Sequence, residues 1–206
     1  MMATLAAPTN FSAWSPIRMG GTELVSAPFP HLAIEDCLEA NSASALLDWF
    51  EGDAPWTLAR RDFYEQYEFA LTDVSHAAAF RLTDPTALDE LSAKMAVLFT
   101  ARFTAMPRIV AHRLVPGQRI DIHNDSLPGG ETHRLLVQVN RGMTDEDGGL
   151  LMLFNSARAS DLARILRPIH RSALAFAISD QSYHAVSKMH GGERFTLVYS
   201  FTADDD

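Results

Sequence analysis

Ile120-Asp121-Ile122-His123-Asn124-Asp125-Ser126 is a short segment that carries a His-x-Asp pair. In an extended chain, side chains two apart point to the same face, so His123 and Asp125 can converge on one point from a strand end. Turn signals enclose the segment, Pro116-Gly117 before it and Pro128-Gly129-Gly130 after it. The same texture continues outward, with apolar runs at 109–115, 133–140, 150–154, 172–178, 183–186 and 194–202 separated by turns such as Asp147-Gly148-Gly149. Many short strands split by Gly or Pro predict a sandwich or barrel. A count of about eight suits a double-stranded β-helix, the jelly roll.

The first half of the chain reads differently. A strand is expected at 31–34, then a helix capped by Asp36 and running to about residue 50, with Leu38, Ala45, Leu46 and Trp49 at helical spacing and Gly52 as its end. Residues 56–71 are rich in aromatics and charges (Trp56, Arg60, Arg61, Asp62, Phe63, Tyr64, Tyr67) and read as an irregular strand or loop bordering the open end of the core, where substrate contacts often arise. Thr83-Asp84-Pro85 starts a helix expected to reach about residue 104, its apolar stripe being Leu88, Leu91, Met95, Leu98, Phe99 and Phe103. Residues 160–166 read as a helical turn. The expected class is mainly β with flanking helices, in one domain over 1–206. Within it, 1–25 is an extended lead-in that can tuck Phe11 or Trp14 against the body, 26–107 helical support and 108–203 the β core, and Asp204-Asp205-Asp206 is a solvated tail.

A 206-residue chain that is 47% hydrophobic can bury one sizeable core. Its 17 basic and 26 acidic residues leave a net charge of −9, which disfavours nucleic acid and anionic lipid as partners and tolerates a basic substrate. Cys37 is the lone cysteine, so no internal disulfide and no Cys-rich zinc site is available, and a cytoplasmic location is expected. No run is long enough for a membrane span, and residues 1–11 lack the pattern of a signal peptide.

A third ligand for the His123–Asp125 pair is available in Ser182-Tyr183-His184-Ala185-Val186, at 184 − 123 = 61 positions further on. Two imidazoles and a carboxylate with the remaining positions open form the facial triad that holds non-haem iron(II). Asp121 is a rival oxygen ligand, and His112, His133, His170 and His190 are rivals to His184. Only His184 opens an apolar strand segment and is followed ten positions later by an arginine, Arg194.

His123-x-Asp125, Gly148-Gly149-Leu150-Leu151, His184-x-Val186 and Arg194-Phe195-Thr196-Leu197, in this order, resemble the iron(II)/2-oxoglutarate-dependent dioxygenases of the prolyl-4-hydroxylase-like branch. The likeness covers roughly residues 108–203, and the stretch from Ala27 to Asp36 is similar to the entry strand of bacterial members. It implies iron(II) on His123, Asp125 and His184, with 2-oxoglutarate and O2 as cosubstrates and ascorbate as an optional reductant. It implies that the Arg194 fork pairs with the distal carboxylate of 2-oxoglutarate, that Thr196 and Val198 flank it, and that Leu151 walls the pocket. The retained carboxylate of Asp125 argues against halogenation. The chain departs from the pattern where relatives place tyrosines, at Leu114 and near Gln138. Gln138 and Arg134 share a strand face with Leu136 and are the candidates to complete the cosubstrate pocket. A buried Arg134 needs an acidic partner, which can be the protein, the substrate or the cosubstrate.

The implied activity is hydroxylation of an unactivated C–H bond in an amino acid, peptide or peptide-derived metabolite, with release of succinate and CO2; desaturation or ring formation would use the same residues. A jelly-roll metal-binding module or cupin-like non-oxygenase enzyme is the alternative. A two-His, one-carboxylate zinc hydrolase fits poorly, since no His-Glu-x-x-His is present.

Overall fold

A computed structural model describes residues 16–20 and 23–204. The expected packing of Phe11 or Trp14, most of the 1–25 lead-in and the last two tail residues lie outside them. The described residues form eleven strands in one strongly curled antiparallel sheet and three α-helices. The strands are β1 (His31–Ile34), β2 (Thr57–Arg61), β3 (Tyr64–Ala70), β4 (Arg108–Leu114), β5 (Ile120–His123), β6 (His133–Gln138), β7 (Leu151–Phe154), β8 (Leu162–Leu166), β9 (Ala173–Ala177), β10 (His184–Val186) and β11 (Arg194–Phe201). The helices are α1 (Ala40–Glu51), α2 (Ala77–Thr83) and α3 (Pro85–Phe99).

Strand order is β1-β9-β6-β11-β4-β3-β5-β10-β7-β8, with β2 paired to β3. β3 meets β4 over four positions but β5 at only one, Tyr64 opposite Ile120, and there the sheet folds over itself. The result is the expected jelly roll, a broad layer from β1 to β3 facing a narrower one from β5 to β8.

Period-two alternation on the broad layer divides the interior in two. In β11, Phe195, Leu197, Tyr199 and Phe201 join the core that holds Leu46, Phe50, Leu91 and Met95 of the helices. The intervening Arg194, Thr196, Val198 and Ser200 line a cavity between the layers. β4 and β6 split likewise, with Ile109, Ala111, Leu135 and Val137 toward the helices and Val110, His112, Arg134 and Leu136 toward the cavity. Each fully buried Leu or Phe contributes roughly 1.5–3 kcal/mol, so the helix-side face holds the wall in place while the other face can carry polar groups.

Several local expectations change. α1 starts at Ala40, after Glu39, and Asp36 does not cap it. Asp36 stands at φ 52° and pairs with Arg171 instead. The helix buries Ala43, Leu46, Leu47, Trp49 and Phe50, which leaves Ala45 on the outer face. Gly52 closes it as expected. Residues 56–71 are not irregular, since β2 and β3 form a hairpin closed by Asp62 and Phe63. α2 is an addition, and α3 stops at Phe99 because Thr100 turns left-handed at φ 52°. Asp84 caps α3 through bonds from the N–H groups of Thr86 and Ala87. The helical turn expected at 160–166 is one short 3-10 turn, Ala159–Asp161, followed by β8. Residues 26–107 thus supply three strands as well as the helices. No helix among the described residues is long and apolar enough to cross a membrane.

Candidate metal centre

β5 and β10 are antiparallel neighbours that place His123 and His184 directly opposite each other, their ring centroids 4.2 Å apart. Each Nδ1 meets a carbonyl two residues upstream, Asp121 O at 2.9 Å for His123 and Ser182 O at 2.8 Å for His184. A proton held on Nδ1 by these carbonyls leaves each Nε2 with its lone pair free toward the gap. Phe63 stacks on His123 at 4.5 Å and Phe176 packs edge-on against His184 at 5.0 Å, fixing both rings.

Asp125 comes to the same gap by a route other than strand alternation. β5 ends at His123, and Asp125 stands at φ 60°, a left-handed conformation that Asp tolerates better than most residues. That turn swings the carboxylate back between the imidazoles, with Oδ1 3.4 Å from His123 Nε2 and Oδ2 3.2 Å from His184 Nε2. The loop is tied down by the segment that precedes β10, since Ser182 Oγ donates to Asn124 O at 2.8 Å and Asn124 Nδ2 donates to Asp180 O at 3.2 Å.

The three ligand atoms lie within 4.8 Å of one another. Burial works to raise the pKa of Asp125, but the bonds to His123 and His184 and the charge of Arg134 outweigh it and hold the carboxyl well below the usual range. Burial lowers the pKa of His184 against the opposing pull of Asp125. An anionic carboxylate beside an imidazole biased to its neutral form is the state a divalent cation requires, so the donor set fits iron(II).

The cavity behind this cluster measures about 170 Å³. Arg194 and Thr196 lie on its wall, and so do Leu151, Val186 and Val198. Arg194 is only 3% exposed, its Nε is buried without a partner, and burial pushes its pKa down to about 10. No ion pair to Arg194 forms among the described residues. A guanidinium so placed lacks its counter-ion, and a dicarboxylate reaching inward would provide one.

None of the protein-family models matches the sequence, and no curated protein sequence matches it. Solved structures do match. A prolyl-4-hydroxylase from Pseudomonas putida superposes with a TM-score of 0.71 at 19% identity, over 84% of this chain and 92% of that one. A 2OG-Fe(II) oxygenase family oxidoreductase from Burkholderia pseudomallei gives 0.62 at 16% identity, over 84% of each chain. A Trichoplax adhaerens prolyl hydroxylase in complex with a hypoxia inducible factor peptide fragment gives 0.63 at 12% identity, over 83% of each. The fold is that of the prolyl-4-hydroxylase-like oxygenases.

Within this oxygenase fold, the structure brings together His123, Asp125, His184, Arg194, Thr196 and Leu151 around one cavity. Arg134 also reaches it, but its guanidinium is already engaged, by Asp125 and by Glu131 at 2.8 Å. The acidic partner it needs is therefore the protein itself. Gln138, directly opposite Thr196 in the register, is not among the residues lining this cavity and accepts from Thr196 Oγ1 at 3.1 Å. Leu114 lies opposite Arg194 across β4 and β11 and brings no hydroxyl. Asp121 is exposed and bonds Arg119 at 2.6 Å, away from the ligand cluster. His133 packs between Phe99 and Phe103, and His190 is exposed.

Gln66 and Glu68 are wall residues that were not named in the sequence, although they fall in the 56–71 segment expected to supply substrate contacts; with Tyr64 they face the cavity from alternate positions of β3. The run Tyr64-Glu65-Gln66-Tyr67-Glu68 shows no polar–apolar alternation, and the hairpin turn contains neither Gly nor Asn to announce the strands. His112 lies beside Thr196 in the register, and burial, with Arg134 and Arg194 adding to it, pushes its imidazole down to about 3.

Proposed function

We propose that this protein is an iron(II)- and 2-oxoglutarate-dependent dioxygenase that hydroxylates an unactivated C–H bond of an amino acid, peptide or peptide-derived metabolite. The reading is carried by one arrangement, the His123–Asp125–His184 cluster opening onto a cavity that also holds the buried, unpaired Arg194. The peptide bound to the Trichoplax prolyl hydroxylase supports a peptide or amino-acid substrate class here. The bound iron and its oxo-acid cosubstrate would supply an oxidant strong enough to break such a bond, with succinate and CO2 as by-products.

The chain's own residues bind, orient and shield. His123 and His184 would offer Nε2, with their carbonyl-bound Nδ1 atoms holding the tautomer, and Asp125 would supply the anionic ligand. Arg194 would pair with the distal carboxylate of 2-oxoglutarate as Thr196 flanks it, and Leu151, Val186 and Val198 keep that end dry. Arg134 holds Asp125 rather than the cosubstrate, and Gln138 supports Thr196. The unit is read as a single oxygenase domain acting in the cytoplasm.

Succinate release from 2-oxoglutarate with added iron(II) and ascorbate tests the reading, comparing wild type with His123→Ala and Arg194→Ala. Turnover in the wild type and its loss in both variants is expected. Metal binding without any succinate, across a broad amino-acid and peptide panel, would point instead to a jelly-roll metal-binding module or a cupin-like enzyme.

A further inference from the structure

Gln66 and Glu68 form an acceptor group on the cavity wall that the metal cluster and Arg194 do not use. Gln66 is 1% exposed; its Nε2 donates to Glu68 Oε2 at 2.9 Å, while its Oε1 is buried with no partner. A buried acceptor without a donor is costly, and such groups are normally met by a ligand or an ordered water. Glu68 lines the same cavity and has no Lys or Arg within ion-pair distance among the described residues. Its single basic neighbour there is His112, with Nε2 3.9 Å away, and burial keeps that imidazole neutral.

None of the arginines on the cavity wall pairs with Glu68 among the described residues. Arg134 serves Asp125 and Glu131, and Arg108 stands 3.9 Å from Glu131. Arg194 lies opposite Leu114. Register separates the acceptor group from the carboxylate anchor: Thr196 is opposite His112, and His112 is opposite Glu68. Glu68 therefore sits two strands across from Thr196, about 10 Å along the sheet at the usual strand spacing. One cavity thus holds a cationic end for an oxo diacid and, to its side, an anionic corner with a spare amide oxygen. Tyr64, two positions before Gln66 on the same face of β3, lines the same cavity and supplies ring surface on which a cation is favoured.

We infer that the substrate presents a positively charged nitrogen, an ammonium or a guanidinium, to the acceptor pair made by the Glu68 carboxylate and the Gln66 amide oxygen. The inference rests on the oxygenase reading, since it assigns this corner to the substrate and the Arg194 end to the cosubstrate.

The test uses the protein loaded anaerobically with iron(II) and 2-oxoglutarate, and titrates four probes by calorimetry. L-Norleucine amide carries only an α-ammonium, Nα-acetyl-L-lysine amide only a side-chain ammonium, Nα-acetyl-L-arginine amide only a guanidinium, and Nα-acetyl-L-norleucine amide no charge. At least one charged probe should bind about tenfold or more tighter than the uncharged one, as one charge-assisted contact would give. Glu68→Gln should remove that advantage while 2-oxoglutarate affinity stays within about twofold, because the substituted group lies away from Arg194. Glu68→Ser is a second neutral variant in case the first does not fold, and Glu68→Asp should keep part of the preference. Equal binding of all four probes, no binding by any charged probe, or an advantage that survives both neutral variants would overturn the subsite while 2-oxoglutarate binding left the oxygenase reading standing. Failure of the loaded wild type to bind 2-oxoglutarate at all would overturn both.

Discussion

Arg134 donates through Nη1 to Asp125 Oδ2 and through Nη2 to Glu131 Oε2, so one guanidinium on β6 grips the carboxylate that completes the ligand cluster. The two residues are brought together because the loop after β5 turns left-handed at Asp125, which carries its carboxylate to Arg134 on β6. A planar fork shared between two acids orients each of them, which a point charge could not do.

Arg134→Met keeps the stem and removes the fork. Iron(II) affinity should fall about 10- to 100-fold, the usual cost of losing a group that orients a ligand. Competition against a chelator measures it, and an unchanged affinity would mean that the backbone bend alone positions Asp125.

Asp125→Ala removes the only anionic member of the cluster. Hydroxylation and uncoupled succinate formation should drop to background with the circular dichroism spectrum unchanged. Full activity in this variant would remove Asp125 from the ligand set.

Arg194→Lys replaces a buried fork by one ammonium. 2-Oxoglutarate should bind about tenfold more weakly, one charge-assisted bond's worth, while iron(II) affinity holds. Anaerobic titration of both ligands decides it, and equal 2-oxoglutarate affinity would take Arg194 out of the cosubstrate site.

His133 gives a pH prediction. Burial against Phe99 and Phe103 pushes its imidazole down to about 4, against an unfolded value near 6.5. Above about pH 6.5 both states are neutral there and stability is complete. As pH falls toward 4 the unfolded chain takes up the proton first, so stability is lost across that window, on the order of 1 kcal/mol because the ring is partly solvated. His133→Gln should therefore show a smaller fall in Tm between pH 7 and pH 4 than wild type, by scanning calorimetry. Parallel falls would show that other groups carry the acid sensitivity.

Asp84 caps α3 with two bonds, to the N–H groups of Thr86 and Ala87. Asp84→Ala should cost about 1 kcal/mol, or roughly 2–4 °C in Tm for a chain of this length, with metal binding untouched. A thermal melt followed by metal titration checks both halves.

How much could be read in advance depended on whether the signal was local. Strand β5, the Pro-Gly turns and the cap at Asp84 are local and stand where the residues placed them. Asp36 looked like a cap because only its neighbours were visible, whereas Arg171, 135 positions away, holds its carboxylate. The hairpin of β2 and β3 was missed for a similar reason: β3 is fixed by pairing to β4, and β2 by pairing to β3, rather than by a turn motif.

By itself the sequence determined the jelly-roll texture, the order of His123, Asp125, His184 and Arg194, and the residue types a ferrous site and an oxo diacid would need. Only the tertiary structure decided that the two imidazoles face each other across β5 and β10 and that a left-handed bend turns Asp125 inward. It also decided that Arg134 belongs to that carboxylate, that Gln138 stands beside Thr196 and bonds its hydroxyl, and that Gln66 and Glu68 look into the cavity. The division follows from the physics: residue chemistry and alternation are written along the chain, but register between strands distant in sequence is set when the broad layer buries its apolar face against the helices.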